Sequence, residues 1–464
     1  MRAIANRSKW LFALIGLFLF GLCILGYRFF TNAEGWTGMK YNKHLFESGT
    51  LVSGGKILDR EGVPLAYNED GARRFNDDRA IRMSTLHTIG DLEGYISTGI
   101  HARYKSVLTG YSYIDGLYNT VANGSGNDIT LTISAELCAT AYRALDGRKG
   151  VVGVYNYRTG EVLCCTSAPS FDTRNRPSEQ EVKENDSYEG VYIDRFVSGE
   201  YVPGSIFKIV TAAAAIDNIP DIYSQTFECD GEYNIGEGIV KCNGVHGKIS
   251  FEKALSHSCN CAFAQIAEQL GNQKLQEEAE KLGFNDSSAA GGNYLNFTGN
   301  KIDLSKAKKL DLGWAGIGQY TTKVNPCRYL TLVGAIANGG ASPKPYVVSK
   351  ITTSSGIKVF SQKTKLMDEY MSGETASKLK KMLRFDVEDV YGDWSFPNLE
   401  MCGKTGTAEV GGDKRPHAWF VGFSQREDLP LAVVVIIENG GSGSGNAIPV
   451  ANRVMQEAKK LYEN

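Results

Sequence analysis

A short apolar helix is predicted between Pro203 and Ile216, and it sets the architecture of the chain around it. Pro203 and Gly204 interrupt regular secondary structure. The residues that follow, up to Ile216, are good helix formers and almost all apolar, and Lys208 is the charged residue among them. A helix without a polar face is buried, and about twelve residues are too few to span a bilayer. The sequence therefore predicts a central core helix, with Ser205 and Lys208 three residues apart on one face.

A lysine on a buried helix requires a physical reason. Removing an ammonium from water favours the loss of its proton, and a neutral lysine amine is a base. A base beside a hydroxyl activates that hydroxyl as a nucleophile. Ser205 and Lys208 are therefore candidates for a nucleophile and its base, and the alternative is a lysine whose stem packs in the core while its amine reaches water.

The spacing Ser-x-x-Lys does not identify this pair, because it occurs six times in the chain. Only the Ser205 copy opens a predicted buried helix. The other copies lie in polar, lysine-rich surroundings and begin at Ser53, Ser250, Ser305, Ser355 and Ser377.

Two further motifs follow downstream. Ser258 and Asn260 form Ser-x-Asn at the head of an apolar helical stretch, where Ser258 has the alternative of being a helix N-cap. The segment Lys404 to Thr407 (KTGT) lies in a predicted strand, and Gly406 would let a ligand approach the backbone closely. Each motif is weak alone, and their order and setting make the combination specific.

The hydrophobic patterns predict an α/β domain around these motifs. Val151 to Thr166 is typical of a β-hairpin, and Val347 to Phe360 of a second one. Three late strands are predicted at Met401–Val410, His417–Ser424 and Leu431–Glu438, and the last is apolar on both faces. The early hairpin and the late strands are expected to close one antiparallel sheet, flanked by helices. Those helices are predicted at Ala135–Leu145, Pro326–Ala337, Ser372–Leu383 and Ile448–Tyr462.

The N-terminus predicts a membrane anchor. Trp10 to Tyr27 contains no charged residue, and Arg2, Arg7 and Lys9 precede it. That length suits one transmembrane helix, and the basic flank places the N-terminus in the cytoplasm. A cleaved signal peptide, the alternative, would have a shorter apolar region and a small-residue cleavage site. We expect a cytoplasmic tail over 1–9, the anchor over 10–30, a small mixed α+β module over 31–148 with a loop at 111–126, and a catalytic domain over 149–464 outside the membrane.

The net charge and the cysteine spacings limit which ligands and cross-links the sequence predicts. A formal net charge of -2 gives no indication of nucleic-acid binding. No Cys-x-x-Cys occurs, and Cys259 and Cys261 are too close for a standard zinc knuckle, so no metal or other cofactor is predicted. Cys229 and Cys242 flank a turn-rich stretch. They are candidates either for a disulfide across a hairpin or for two buried thiols.

In this order and setting, the three motifs resemble those of penicillin-interacting serine enzymes. The chain is similar to class B penicillin-binding proteins, which are monofunctional peptidoglycan D,D-transpeptidases. The similarity covers most of residues 50–464 and is strongest from 150 onward. It includes Val151–Asp172, Asp194–Arg195, Gly316–Gln319, Ala337–Gly340 and His417–Phe423. Gly54 departs from the family pattern, since an arginine usually opens the short signature of the N-terminal module.

The resemblance implies a penicillin-binding transpeptidase (β-lactamase-like) fold and acyl transfer through a serine ester. Ser205 would attack the D-Ala-D-Ala bond of a peptidoglycan stem peptide and release D-Ala, after which an amine of a neighbouring strand takes the acyl group. Lys208 would be the base. Lys404 would supply a second positive charge and bind the terminal carboxylate, with Thr405 and Thr407 as hydroxyl donors.

The resemblance assigns the remaining roles as well. Ser258 would relay a proton to the leaving nitrogen, and Asn260 would hold the substrate amide and Lys208. The backbone N–H groups of Ser205 and Thr407 would form the oxyanion hole. β-Lactam antibiotics would acylate Ser205. A polytopic cell-wall glycosyltransferase would be the partner, contacted through the membrane span and the N-terminal module.

Other functions remain open at this stage. A D,D-carboxypeptidase or β-lactamase would need a water-activating group, which the sequence does not locate. An inactive scaffold would not need all three motifs, and a β-lactam sensor would need a signalling domain before the span. A Ser-His-Asp triad is disfavoured because His257 alone lies near a motif and no Gly-x-Ser-x-Gly occurs. The sequence does not distinguish elongation, division and sporulation.

Overall fold

The computed structural model describes residues 2–37, 46–47, 50–51, 54–110, 126–286 and 293–463. The predicted loop at 111–126 lies outside the described residues except for its last position. Within the described ranges the chain forms helices at both ends and strands throughout. The α-helices are α1 (Arg2–Thr37), α2 (Arg79–Ile89), α3 (Ile100–Arg103), α4 (Lys105–Leu108), α5 (Ala135–Leu145), α6 (Glu179–Glu184), α7 (Arg195–Ser198), α8 (Lys208–Asn218), α9 (Phe251–Ser256), α10 (Asn260–Lys281), α11 (Lys309–Gly316), α12 (Pro326–Ala337), α13 (Gly373–Asp386) and α14 (Ile448–Lys460).

The strands form two larger sheets and three two-stranded ribbons. In chain order they are β1 (Phe46–Glu47), β2 (Thr50–Leu51), β3 (Ile57–Leu58), β4 (Pro64–Glu69), β5 (Ala72–Phe75), β6 (Asp128–Leu131), β7 (Gly150–Asn156), β8 (Val162–Ala168), β9 (Thr226–Cys229), β10 (Glu232–Ile235), β11 (Gly238–Lys241), β12 (Gly247–Ser250), β13 (Val348–Thr352), β14 (Lys358–Ser361), β15 (Met401–Ala408), β16 (His417–Ser424) and β17 (Leu431–Ile437).

The five-stranded sheet has the order β15-β16-β17-β7-β8 and is antiparallel throughout. The early hairpin β7–β8 joins the late strands through the pairing of β7 with β17, as the sequence predicts. Every residue of β7, β8 and β17 is buried, because helices cover the sheet. The helices α5 and α14 pack against each other and against this sheet, and α12 packs against β7, β16 and β17.

The six-stranded sheet has the order β14-β13-β6-β3-β4-β5. Its strands β3 to β6 precede residue 148, but β13 and β14 come from residues 348–361. Strand β13 pairs with β6, and β14 pairs with β13 at the edge of the sheet. The second predicted hairpin therefore exists and completes the sheet of the N-terminal module. Helix α5, which also precedes residue 148, instead packs on β8 of the other sheet. Each of the two larger sheets therefore has contacts with residues from the other side of the predicted boundary at 148.

Helix α8 lies at the centre of the larger domain. All residues from Lys208 to Ala215 are buried, and the helix packs against α10 and α13. A four-residue 3₁₀ turn, Gly204–Phe207, leads into it and packs on the edge strand β15. The predicted core helix is present, and its first turn lies beside the strand that carries the KTGT segment.

The N-terminal helix α1 stands apart from this core. Its segment Lys9–Arg28 has a mean hydropathy of 2.3, is long enough to cross a membrane, and none of it is buried in the protein. Trp10, Phe12 and Leu17 are each more than two-thirds exposed. A long apolar helical segment that is not buried in the protein is typical of a membrane span.

Candidate active site

Ser205 lies in the 3₁₀ turn that precedes α8, facing the edge strand β15. The preceding Gly204 has a φ of +55°, in the left-handed region. A Cβ at Gly204 would lie 2.7 Å from the backbone oxygen of Thr407 and 2.9 Å from Cα of Ala408. A glycine is therefore required for the turn to approach the strand this closely. This approach sets Ser205 next to the KTGT segment.

The amine of Lys208 reaches four oxygen atoms from inside the protein. Its Nζ lies 3.3 Å from Oγ of Ser205 and 2.7 Å from Oδ1 of Asn260. The same nitrogen lies 2.6 Å from the backbone oxygen of Ser258 and 3.1 Å from its Oγ. The lysine side chain is fully buried. Two separate segments of the chain, 205–208 and 258–260, thus bring Ser205, Ser258 and Asn260 to the Lys208 nitrogen.

These contacts match a neutral amine, which has two N–H groups and one lone pair. The oxygens of Asn260 and of the Ser258 backbone can only accept, so they take the two N–H groups. The lone pair is then left for the hydroxyl proton of Ser205 or Ser258. Burial, together with the neighbouring positive charge of Lys404, lowers the pKa of Lys208 to about 7. A lysine that is substantially neutral near pH 7 can act as a base.

Ser258 lies in the short link between α9 and α10. Its φ is +53°, which is unusual for a residue other than glycine, asparagine or aspartate. It is not the N-cap of α10, because that role belongs to Cys259, whose sulfur accepts from the N–H of Ala262. Asn260 is fixed separately, since its Nδ2 donates to the backbone oxygen of Lys241 at 2.9 Å. The link therefore presents both polar groups of Ser258 to Lys208.

Lys404 lies on β15 and is fully buried. Its Nζ lies 3.8 Å from Oδ2 of Asp386 and donates to the hydroxyl of Tyr391 at 3.4 Å. Burial opposes the charge on Lys404, but Tyr391 and Asp386 outweigh burial and raise its pKa. Lys404 therefore remains a cation near Lys208, as the sequence-based hypothesis requires.

Asp386 and Tyr391 are two site residues that sequence reasoning missed. Asp386 ends α13 and is fully buried, and burial raises its pKa to about 7. The Tyr391 hydroxyl accepts from the backbone N–H of Thr405 at 3.1 Å and shares a hydrogen bond with Oγ1 of Thr405 at 2.9 Å. Both residues belong to an acidic stretch that looks like a solvated surface in the sequence, so no local signal identifies them.

The KTGT segment forms the open edge of the five-stranded sheet. Thr405 is half-buried and Thr407 is exposed, and because they are two residues apart their side chains lie on the same face of the strand. A Cβ at Gly406 would lie 3.0 Å from the backbone oxygen of Pro203 and 3.1 Å from Cγ2 of Ile206. Gly406 thus allows the Ser205 turn to pack directly on the strand. A ligand that pairs with this edge would lie across Ser205.

Two sequence-based alternatives do not match the geometry. The thiols of Cys229 and Cys242 are free, so the bridge across the hairpin is not formed. The hairpin itself, β10–β11, is present between them. His257 pairs with Asp389 at 3.2 Å. Within the described part of the chain no histidine hydrogen-bonds Ser205, so a Ser-His-Asp triad is not assembled there.

The arrangement supports nucleophilic acyl transfer. It holds a hydroxyl, a base with a lowered pKa, a second hydroxyl and a buried cation beside an open strand edge. Among the described residues, no carboxylate lies within hydrogen-bonding distance of Ser205 or Lys208. A water-activating carboxylate next to the nucleophile is thus absent from this part of the structure.

Comparisons with known proteins agree with the geometry. The family model "Penicillin binding protein transpeptidase domain" matches residues 150–456. The peptidoglycan D,D-transpeptidase PbpA of Mycolicibacterium smegmatis is 26% identical over 449 residues, which is 87% of this chain and 86% of that protein.

Solved structures have the same fold. The D,D-transpeptidase domain of a peptidoglycan glycosyltransferase from Eggerthella lenta is 27% identical, with a TM-score of 0.76, and the match covers 88% of this chain and 99% of that one. Penicillin-binding protein A of M. tuberculosis, solved as a ceftriaxone acyl-enzyme complex, is 23% identical with a TM-score of 0.78, covering 87% and 98%.

Proposed function

Since this chain belongs to the penicillin-binding protein transpeptidase family, we propose that it is a peptidoglycan D,D-transpeptidase that works through an acyl-enzyme on Ser205. The observation that carries the proposal is the position of Lys208. Its Nζ lies 3.3 Å from Oγ of Ser205, and carbonyl oxygens of Ser258 and Asn260 take its N–H groups. Its lone pair is thereby available for the serine proton.

Acylation follows from these contacts. Oγ of Ser205 attacks the carbonyl carbon between the two D-alanines of a stem peptide, and its proton passes to Nζ of Lys208. Negative charge develops on the carbonyl oxygen. The N–H groups of Ser205 and Thr407 stabilise it, because the Ser205 turn packs on strand β15. Removing one such donor typically costs about 2.7–4 kcal/mol of barrier.

The leaving group needs a proton. Lys208 lies 3.1 Å from Oγ of Ser258, so the proton taken from Ser205 passes through this hydroxyl to the leaving nitrogen. The C–N bond breaks and D-Ala departs as a neutral amine. In the second half, the amine of a neighbouring stem peptide attacks the ester, and Ser205 recovers its proton as the new amide forms.

Substrate orientation depends on β15. Lys404 attracts the terminal carboxylate of the stem peptide, and the hydroxyls of Thr405 and Thr407 donate to it. Lys404 is fully buried, so it acts through its field, while the exposed Thr407 contacts the substrate directly. The same features bind the carboxylate of a β-lactam.

A penicillin-labelling experiment tests the nucleophile. Incubation of the purified protein with benzylpenicillin should add one drug mass, and Ser205→Ala should abolish the addition. The matched control is Ser377→Ala, since Ser377 begins another Ser-x-x-Lys but is exposed on α13. Labelling that persists in Ser205→Ala would refute the assignment.

Product analysis separates transpeptidation from hydrolysis. With a stem-peptide donor and an excess of amine acceptor, the wild-type protein should form the cross-linked amide and release one D-Ala for each link. A slow release of bound penicilloyl group should accompany it, because no carboxylate contacts Ser205 in the described structure. Rapid turnover of penicillin, or hydrolysed peptide as the main product, would favour the hydrolase alternative.

The proposed location is the cell membrane, with one span, the N-terminus in the cytoplasm and the catalytic domain outside. Support comes from the exposed apolar segment Lys9–Arg28 and from the basic residues Arg2, Arg7 and Lys9 at its start. External protease should degrade the catalytic domain in spheroplasts. Protection of this domain in intact spheroplasts would contradict the orientation.

The proposed partner is a polytopic cell-wall glycosyltransferase, contacted through α1 and the N-terminal module. The support is the family resemblance together with the apolar segment Lys9–Arg28, whose side chains are exposed on the surface of the protein. Replacing Lys9–Arg28 with an unrelated membrane span should keep the protein in the membrane and weaken its co-purification with such a transferase. Unchanged co-purification would remove the span from the contact.

A further inference from the structure

Four potential metal ligands converge behind the Ser-x-Asn link. They are Cys229 at the end of β9, Cys242 just after β11, His246 just before β12, and Cys259 at the N-cap of α10. Their sulfur and nitrogen atoms all lie within 4.8 Å of one another. Cys229 and Cys259 are fully buried, and the other two are partly buried.

Three separations between these atoms match the edges of a tetrahedron around one ion. Nδ1 of His246 lies 3.3 Å from Sγ of Cys229 and 3.6 Å from Sγ of Cys242, and the sulfurs of Cys242 and Cys259 are 3.9 Å apart. A tetrahedral zinc ion with Zn–S of about 2.3 Å and Zn–N of about 2.0 Å would separate two sulfurs by about 3.8 Å and sulfur from nitrogen by about 3.6 Å. The remaining separations are within 4.8 Å, so shifts of about 1 Å or less would bring all four ligand atoms to one ion.

A disulfide does not explain this arrangement. A disulfide would bring two sulfurs to about 2.05 Å, and Cys242 and Cys259 are 3.9 Å apart. A disulfide would also leave the third thiol and the imidazole without a role. Three sulfurs with one imidazole nitrogen directed at a common centre is the donor set of structural zinc.

We propose that Cys229, Cys242, His246 and Cys259 bind one Zn²⁺ ion as a closed, structural Cys₃His site. Four protein ligands complete the tetrahedron, so the ion has no open position for water or substrate. Soft thiolate ligands favour zinc over magnesium or calcium. The short cysteine spacings of a standard zinc knuckle do not mark this site, because its four ligands are spread over residues 229–259.

Backbone N–H groups around the sulfurs agree with bound thiolates. The N–H of Asn260 donates to Sγ of Cys242 at 3.3 Å, and the N–H of Ala262 donates to Sγ of Cys259 at 3.4 Å. Donors in this outer position stabilise the negative charge of metal-bound sulfur and fix the ligands. The N-terminal turn of α10 therefore serves both as a ligand carrier and as an outer shell.

The ion has a positioning role that rests on the proposed function. Cys259 lies between Ser258 and Asn260, the two residues that contact Lys208. Ser258 has the unfavourable φ of +53°, and such a conformation persists only when surrounding structure holds it. A metal bond at the next residue supplies that constraint. The Zn²⁺ ion thus joins the β9–β12 and β10–β11 ribbons to the link that orients the base.

Metal analysis of the full-length protein tests the site directly. Protein purified without chelators should contain about one zinc per chain. After zinc is exchanged for Co²⁺, intense visible bands and a sulfur-to-cobalt charge-transfer band should report a tetrahedral thiolate site. A folded protein without zinc that gives no such bands with Co²⁺ would overturn the proposal, as would a Cys242–Cys259 disulfide found by mass spectrometry.

Variants locate the ligands. Cys242→Ser and His246→Ala should each lower zinc content at least tenfold after dialysis against a mild chelator. Cys327→Ala, which removes a buried thiol on α12 far from the cluster in the chain, should keep the ion. Retained zinc in both ligand variants would overturn the assignment. If a ligand variant does not fold, the Co²⁺ spectrum of the wild-type protein still decides.

Acylation measurements separate this proposal from the proposed function. The His246→Ala protein should acylate with penicillin at least tenfold more slowly, and the label should still be on Ser205. Full-rate acylation by metal-free protein would refute the positioning role and leave the nucleophile intact. Failure of wild-type protein to acylate at full zinc content would refute the proposed function and leave the metal site intact.

Discussion

Lys208 combines burial with four nearby oxygen atoms, and its titration follows from its surroundings. Burial and the charge of Lys404 lower its pKa to about 7. Protonation below that pH removes the lone pair that would take the Ser205 proton. The activity of Ser205 is therefore tied to the charge balance of a small buried group of residues rather than to the serine itself.

We expect the rate of penicillin acylation to depend on pH through Lys208. The rate should fall about tenfold per pH unit below a pKa of about 7 and level off above it, because the neutral amine is the active form. Lys208→Ala should slow acylation by about 10²–10⁴-fold. Stopped-flow measurements with a chromogenic cephalosporin check both. A flat profile in the wild-type protein would contradict the role of Lys208 as base.

Two neighbours of Lys208 should move this profile in opposite directions. Lys404 lowers the pKa of Lys208, and Asp386 raises it. Lys404→Gln should therefore shift the acylation profile to higher pH, whereas Asp386→Asn should shift it to lower pH. The two variants are a matched pair, because each removes the charge of a fully buried side chain near Lys208. Shifts of the same sign in the two variants would show that the coupling is not electrostatic.

At the scale of elements, the site depends on the contact between the Ser205 turn and β15. Gly204→Ala should lower the free energy of unfolding by more than about 1 kcal/mol, because the left-handed φ of +55° is strained for alanine. It should also reduce acylation, since a Cβ would push Thr407 away. Thermal unfolding and labelling kinetics measure the two effects.

A second glycine provides the control for that prediction. Gly373 opens α13, where the nearest atom to a Cβ would be the backbone oxygen of Gly339 at 3.5 Å, an ordinary contact. Gly373→Ala should leave stability and acylation unchanged or slightly improve stability, because alanine favours a helix. If Gly204→Ala behaved like Gly373→Ala, close packing of the turn on β15 would not be required.

At the scale of the whole molecule, the two larger sheets depend on each other. Strands β13 and β14, which come after residue 148, complete the six-stranded sheet, because β13 pairs with β6 and β14 pairs with β13. Arg82 of the N-terminal region also forms a bidentate salt bridge with Asp172, which lies after residue 148, and each hydrogen bond is 2.7 Å long. These contacts therefore join residues on both sides of position 148, the predicted start of the catalytic domain.

A chain that begins at residue 149 should be less stable than one that begins at residue 54. It would lose α5 and β6, leaving β13 as an unpaired edge and apolar residues of β8 uncovered, which favours aggregation. We expect a lower unfolding temperature or poor solubility for 149–464, measured by calorimetry or fluorescence. Equal unfolding temperatures of the two chains would show that the catalytic region folds by itself.

Local patterns predicted much of the secondary structure. Helices Ala135–Leu145 and Pro326–Ala337 and the strand His417–Ser424 lie where the sequence predicted them, because hydrophobic periodicity and caps are properties of neighbouring residues. The break between α9 and α10 has no comparable local signal in the sequence. It is caused by the left-handed backbone conformation of Ser258, which long-range contacts hold in place.

The sequence by itself singled out Ser205 as the candidate nucleophile, since only one Ser-x-x-Lys opens a predicted buried helix and is followed in order by Ser258, Asn260 and Lys404. The pKa of Lys208, the roles of Asp386 and Tyr391, and the convergence of three cysteines with His246 were decided by the tertiary structure. Each of these depends on groups far apart in the chain that share a buried space. Charges and ligands act through distance in space, which residue order alone does not encode.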